Sequence, residues 1–241
     1  ILLCEILNMD MVQRHRRYFL EPLKALIGFC DKYGIDDIEK MEQADENRFY
    51  LYLNRESEII KKQASKIVEF ARRTLFLTDT ETNWQACIWY MDRFQFDKSR
   101  INASSPVKSL SFINIHEKEN RWYLQLYAKY LVGISDLSLS NIRNKISFIS
   151  QFLQYLDGRS KKVTELDMQD IVDYLSVLDE SDIKYSTFNR YVTHVHTFLQ
   201  FLKMKNIEVL KFYPERFLKK GFPEHNERSV PEKTIAHLIK E

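Results

Sequence analysis

The sequence predicts an all-α protein made of two helical bundles, and three observations carry that prediction. Apolar residues recur at helical spacing along most of the chain, no comparable run alternates with period two, and turn-forming residues are scarce. The 241 residues include only 5 Gly and 5 Pro, together about 4% where about 12% is usual. A β-sandwich or barrel needs a turn every 8–12 residues or so. A doubly wound nucleotide-binding fold needs glycines in its phosphate turn. Single, scattered glycines serve neither.

Four apolar stripes justify the long helices in chain order. Phe19, Leu23, Leu26/Ile27 and Cys30 form the first, and Ile60, Ala64, Ile67, Ala71 and Leu75 the second. In 139–156 the residues Ile142, Ile146, Ile149, Leu153 and Leu156 step by three and four, and in 187–202 Phe188, Val192, Val195, Leu199 and Leu202 do the same. Ser138 or Ser140 is the expected start signal of the third helix, and Thr164 with Asp167 that of a shorter helix over 168–178. The stretch 102–119 opens Asn-Ala-Ser-Ser-Pro-Val-Lys-Ser, has weak periodicity, and precedes a helix at Arg121-Trp122-Tyr123. The expected division is therefore a helical domain at 1–103, a linker at 104–120, a second helical domain at 121–210 and a terminal segment at 211–241. Within that segment 211–231 holds Pro214, Gly221, Pro223 and Pro231 and is expected to be a poorly packed connector.

The two halves read alike. In each, a long helix is followed by a Gly-containing turn (Tyr33-Gly34-Ile35; Asp157-Gly158-Arg159). An acidic helix and then a basic-faced helix follow, at an offset of about 122–125 residues. Two copies of one helical unit are the economical reading.

Composition excludes more than it selects. Lys+Arg total 36 against 34 Asp+Glu, so a nucleic-acid surface would have to arise from segregation of charge between faces. Cys4, Cys30 and Cys87 are odd in number, with no CxxC or Cys/His metal spacing, which favours a reducing compartment. No apolar run reaches 18 residues and no basic-started signal peptide is present. The chain starts at Ile1 without Met, as a fragment or a processed piece would. His194 and His196 lie two apart and would point to opposite sides of a helix. Asp167, Asp170 and Asp173 share a face that could hold a cation or simply be solvated. No GxSxG, HExxH, Walker or Rossmann fingerprint occurs. Neither metal, cofactor nor catalytic residues are expected.

The polar faces of the last two long helices are more informative. One presents Ser140, Arg143, Asn144, Ser147 and Gln151, with Lys145 at its flank; the other presents Ser186, Thr187, Arg190, Thr193, His194 and Thr197, entered through Lys184 and Tyr185. Both lack carboxylates, while the acid gathers on the helix between them. Arg, Asn, Gln, Ser and Thr are side chains that bond phosphates and base edges. An ordinary polar surface would look the same.

Residues 137–156 (LSLSNIRNKISFISQFLQYL) resemble the first long helix of the core-binding domain of tyrosine recombinases, the phage integrases. Residues 163–175 (VTELDMQDIVDYL) and 185–202 (YSTFNRYVTHVHTFLQFL) are similar to later helices of that domain, and 228–239 (RSVPEKTIAHLI) resembles the linker into its catalytic domain. Among subfamilies the chain most resembles the long-N-terminus integrases of site-specific transposons. The resemblance covers about 121–241 and makes 121–210 a SAM-like core-binding domain. It implies sequence-specific binding of double-stranded DNA at a recombination site, in integration or transposition, through helices over 140–151 and 186–197. Lys219, Lys220 and Arg228 would join them on the backbone. It also implies further recombinase protomers as partners, no membrane, and a bacterial, nucleoid-associated cytoplasmic setting. The family's nucleophilic Tyr and its Arg, Lys and His lie in a catalytic domain beginning near Val230, so this stretch is expected to bind DNA without cutting it. Tyr185 and Tyr191 are not expected to act as nucleophiles. If 1–103 is a second core-binding-like unit, its basic side chains Arg14, Arg16, Arg17, Lys61, Lys62, Lys66, Arg72 and Arg73 would meet phosphates. A solvated face is the alternative there. For the whole chain the alternative is a helical protein–protein module that does not bind DNA, and a steep salt dependence of binding would separate the two.

Overall fold

A computed structural model describes residues 1–9, 13–53 and 58–220, with the backbone alone for 13–17 and 58–65. Eight α-helices lie among the described residues: α1 (Leu2–Asn8), α2 (Gln13–Tyr33), α3 (Gln43–Tyr52), α4 (Glu58–Thr78), α5 (Lys118–Gly133), α6 (Leu139–Asp157), α7 (Met168–Glu180) and α8 (Tyr185–Met204). The fold is mostly helical, as periodicity predicts. One element departs from the all-α expectation: β1 (Ile88–Tyr90) pairs antiparallel with β2 (Ser109–Ser111), with Trp89 opposite Leu110. Three-residue strands are too short to show period two in sequence.

Local chemistry sets the helix ends. The Ser138 hydroxyl accepts from the Asn141 amide at 3.3 Å to start α6, so Ser138 and not Ser140 is the cap. At α7 the Asp167 carboxylate accepts from the Asp170 amide (3.0 Å) and the Asp170 carboxylate from the Asp167 amide (2.9 Å). This reciprocal box holds the first turn, and Asp167, not Thr164, is its cap. The stripes of α6 and α8 then bury Ile142, Ile146, Ile149 and Leu153 against Phe188, Val192, Val195 and Leu199 in one core.

Both bundles have the same element order. Two helices (α1, α2 or α5, α6) are followed by a 3-10 turn (Ile38–Lys40 or Val163–Glu165) and two more helices (α3, α4 or α7, α8). The packing repeats as well, α2 against α4 and α6 against α8.

The buried side chains group differently from the expected division. The buried side chains form two clusters, one of residues 6–71 and one of residues 76–212, so the division between cores falls inside α4 and not near 103. The expected linker at 104–120 is packed: Val107, Leu110, Phe112 and Ile115 all belong to the larger core. The first ten residues of the expected connector are anchored at Phe212, although most of their side chains are exposed. Phe212 is 2% exposed, lies edge-on to His196 at 5.4 Å and meets Phe217 at 6.0 Å. Residues 221–231 lie outside the described residues.

A polar clasp joins the two bundles at 37–42. The Cys87 amide donates to the Glu39 carbonyl (2.8 Å), Asn83 donates to the Asp37 and Glu39 carboxylates (3.2 and 3.1 Å), and Arg121 donates to Glu42 (2.7 Å). All three cysteines are unpaired, with Cys30 and Cys87 buried. No described helix is long and apolar enough to cross a membrane.

Candidate nucleic-acid interface

Helices α6 and α8 pack through their apolar stripes, and an aromatic seam fixes their polar faces side by side. The Phe148 ring meets Tyr191 edge-on at 4.6 Å and His194 at 5.1 Å. The Tyr191 hydroxyl donates to the Gln151 side-chain carbonyl, tying one face to the other. On the α6 side Arg143, Asn144, Ser147 and Gln151 are exposed, with Ser140 and Lys145 half-buried. On the α8 side Tyr185, Ser186, Arg190 and Thr193 are exposed, as is Lys184 just ahead of the helix; Thr187, His194 and Thr197 are half-buried. The hydroxyls of Thr193 and Thr197 donate to the carbonyls of Asn189 and Thr193, each at 2.8 Å, and keep only acceptor capacity for anything outside the helix.

Charge is arranged on this face as an anion would require. Arg143, Lys145 and Arg190 have no ion-pair partner among the described residues. His194 sits among them. Burial, then the positive charges of Lys145 and Arg190, push its imidazole down to about 4, and its Nδ1 is buried without a partner. An imidazole buried beside two cations is held uncharged, with burial the larger cause.

Other predicted residues are placed differently. Lys219 is engaged within the fold: its ammonium pairs with Asp179 and lies 4.5 Å from the Phe188 ring centre. Arg72 is 3% exposed and donates to the Ile38 carbonyl (3.2 Å), the Met41 carbonyl and Glu46. It is a buried brace, not a phosphate contact. Arg73 pairs with Asp92 at 2.6 Å. Lys66 and Lys220 are exposed without an ion-pair partner among the described residues. The side chains of Arg14, Arg16, Arg17, Lys61 and Lys62, and the whole of Arg228, lie outside the described residues.

The acidic face of α7 is neutralised from a neighbouring loop. Lys161 pairs with Asp167 and Asp170, and Arg159 with Asp173 at 2.9 Å. Among the described residues no group of His, Cys, Asp or Glu is arranged to hold a metal. Tyr191 is buried, its hydroxyl is engaged, and burial raises its pKa, none of which suits a nucleophile.

Sequence reasoning missed Asn189. Its side chain donates to the Lys219 carbonyl and accepts from the Lys219 amide, both at 2.8 Å, so it pins residue 219 to α8. The one available signal was an Asn inside a helix, where its side chain usually competes with the backbone unless something else binds it.

A paired α6–α8 face on a helical bundle, cationic and free of carboxylates, defines a bundle able to meet a polyanion. Residues 124–206 match the family model described as phage integrase, N-terminal SAM-like domain. This match spans α6, α7 and α8 with most of α5, and makes that segment similar to the SAM-like domain of the tyrosine recombinases (integrases). Neither a curated protein nor a solved structure matches the chain.

Proposed function

We propose that residues 118–220 form the DNA-binding half of a site-specific tyrosine recombinase, gripping duplex DNA through the α6–α8 face. The observation that carries this reading is the convergence of three cations without acidic partners, Arg143, Lys145 and Arg190, on one face of a SAM-like integrase domain. Arg143 and Arg190 supply planar donors for guanine edges or phosphates; Asn144 and Gln151 supply amides suited to base edges. Strand cleavage belongs to a catalytic domain of the parent protein, which acts in integration or transposition with further protomers on the DNA. The 1–71 bundle is a second core-binding-like unit on this reading, supported by the repeated element order. Its phosphate contacts are reduced to Lys66 and the basic side chains of 14–17 and 61–62, because Arg72 and Arg73 are already paired.

The test is binding to recombination-site and unrelated duplexes across a salt series. Arg190→Ala is expected to cost about 1–3 kcal/mol and to relax preference at one base pair if it reads a base, or to lower the salt slope by about one if it meets phosphate. Arg143→Ala should act likewise. Unchanged binding in both variants, or affinity indifferent to salt, would favour a helical protein–protein module instead.

A further inference from the structure

Beyond α8 the chain doubles back. After the turn at Lys205 and Asn206, Phe212 lies against His196, about halfway along α8, and residue 219 lies against Asn189, in its second turn. Residues 207–219 thus form a strap running antiparallel to α8, toward the end that carries Lys184, Tyr185, Ser186 and Arg190. Phe212 anchors it by burial, and a 3-10 turn at Pro214–Arg216 shortens it. The last fastening is different in kind. Asn189 forms two hydrogen bonds to the backbone of residue 219, as a neighbouring strand would, and such a pair fixes register to a single residue. The Lys219 ammonium closes the same point from the other side through Asp179 and the Phe188 ring. Lys220 is the next residue, exposed and without an ion-pair partner among the described residues.

We propose that Asn189 is a positioning residue whose side chain locks the register of the 207–219 strap, so that Lys220 is presented as a phosphate contact beside the N-terminal end of α8. The inference rests on the DNA-binding reading above and assigns the strap a place in that interface. Asn189 touches no DNA itself and acts through the backbone it holds. Removing its amide costs a charge–phosphate contact although no charge is removed.

The test is a salt series on the full chain with a mixed-sequence duplex of about 30 base pairs, together with amide hydrogen exchange over 211–220 without DNA. Lys220→Ala is expected to reduce the salt slope by about one. Asn189→Ala should give the same reduction and faster exchange of 211–220, and the double variant should be no worse than either single one. Asn189→Asp keeps the acceptor for the Lys219 amide but loses the donor, and should fall between wild type and Asn189→Ala in exchange. Unchanged exchange in Asn189→Ala would show that Phe212 alone holds the strap and would overturn the lock. A slope unaffected by Asn189→Ala, or additive losses in the double variant, would overturn the coupling. If the wild-type chain does not bind duplex at all, the DNA-binding reading falls, while exchange over 211–220 still decides the lock.

Discussion

His194 is held neutral on the α6–α8 face by burial and by two neighbouring cations, and pH can read it. Its pKa near 4 in the fold lies below the ordinary value of 6.5, with burial the largest cause and Lys145 and Arg190 the next. Between those two values the unfolded chain takes up a proton that the native chain refuses, so this group lowers stability as pH falls from about 6.5 to about 4. Replacing it with Gln should flatten that part of the stability–pH curve, as chemical denaturation at a series of pH values would show; an unchanged curve would mean that His194 is not held neutral. If phosphates meet this face they offset the two cations and raise the imidazole pKa, so duplex binding should strengthen from pH 7 to pH 5 in wild type more than in His194→Gln. Arg72 poses the opposite residue-scale case, a charge enclosed in the smaller bundle. Its loss strands Glu46, itself only 13% exposed, and the carbonyls of Ile38 and Met41. Arg72→Ala should therefore destabilise by about 3–5 kcal/mol, measured by denaturant unfolding. The variant Arg72→Met/Glu46→Gln should recover part of the loss, since no unpaired buried charge remains.

At the scale of elements, single amides hold the segments that helical periodicity does not. Asn120 on α5 is 0% exposed, donates to the Lys161 carbonyl (3.0 Å) and accepts from the Val163 amide (2.8 Å), which sets the loop between α6 and α7. Asn120→Ala leaves both backbone groups unmatched in the core and should cost about 1–3 kcal/mol. Ser138→Ala, on an exposed helix start, should cost nearer 1 kcal/mol. Thermal unfolding of the two variants checks the order. The same contrast explains what was legible in the sequence. The stripes of α2, α4, α6 and α8 could be read because helical burial repeats every three or four residues, whatever lies opposite. The acid-poor faces holding Arg143, Asn144, Arg190 and Thr193 could be read for the same reason, as the complement of those stripes. Val107, Leu110, Phe112 and Phe212 could not, since their burial depends on helices far away in sequence and leaves no local period. Arg72 belongs with them: it lies among basic residues off the apolar stripe, yet the carbonyls at 38 and 41 draw it inside. Asn189 was hidden because its partner lies thirty residues on.

At the scale of the molecule, the division between cores decides which truncations can be interpreted. A cut at 103 looks natural in sequence, but it removes Phe76, Ala86, Trp89, Tyr90 and Met91 from the core that α5–α8 share. Trp89 is fully buried against Phe112 at 4.9 Å, and Gln125 on α5 donates to the Ala86 carbonyl at 3.0 Å, so a 104–220 fragment loses packing and leaves a buried amide without its acceptor. A 74–220 fragment keeps every buried residue of the larger core; it gives up the first four turns of α4, the Arg73–Asp92 pair and the clasp to 37–42, where Arg121 loses Glu42. The 74–220 fragment should unfold in one cooperative transition somewhat below the full chain. The 104–220 fragment should unfold broadly and bind a hydrophobic dye such as ANS. A transition in 104–220 as sharp as that of 74–220, without dye binding, would refute the shared core. On the reading of 1–71 as a second DNA-binding unit, the 74–220 fragment should also protect a shorter stretch of duplex than the full chain and show a smaller salt slope, with its sequence preference kept. An identical footprint and slope would assign the first bundle to protein contacts between protomers.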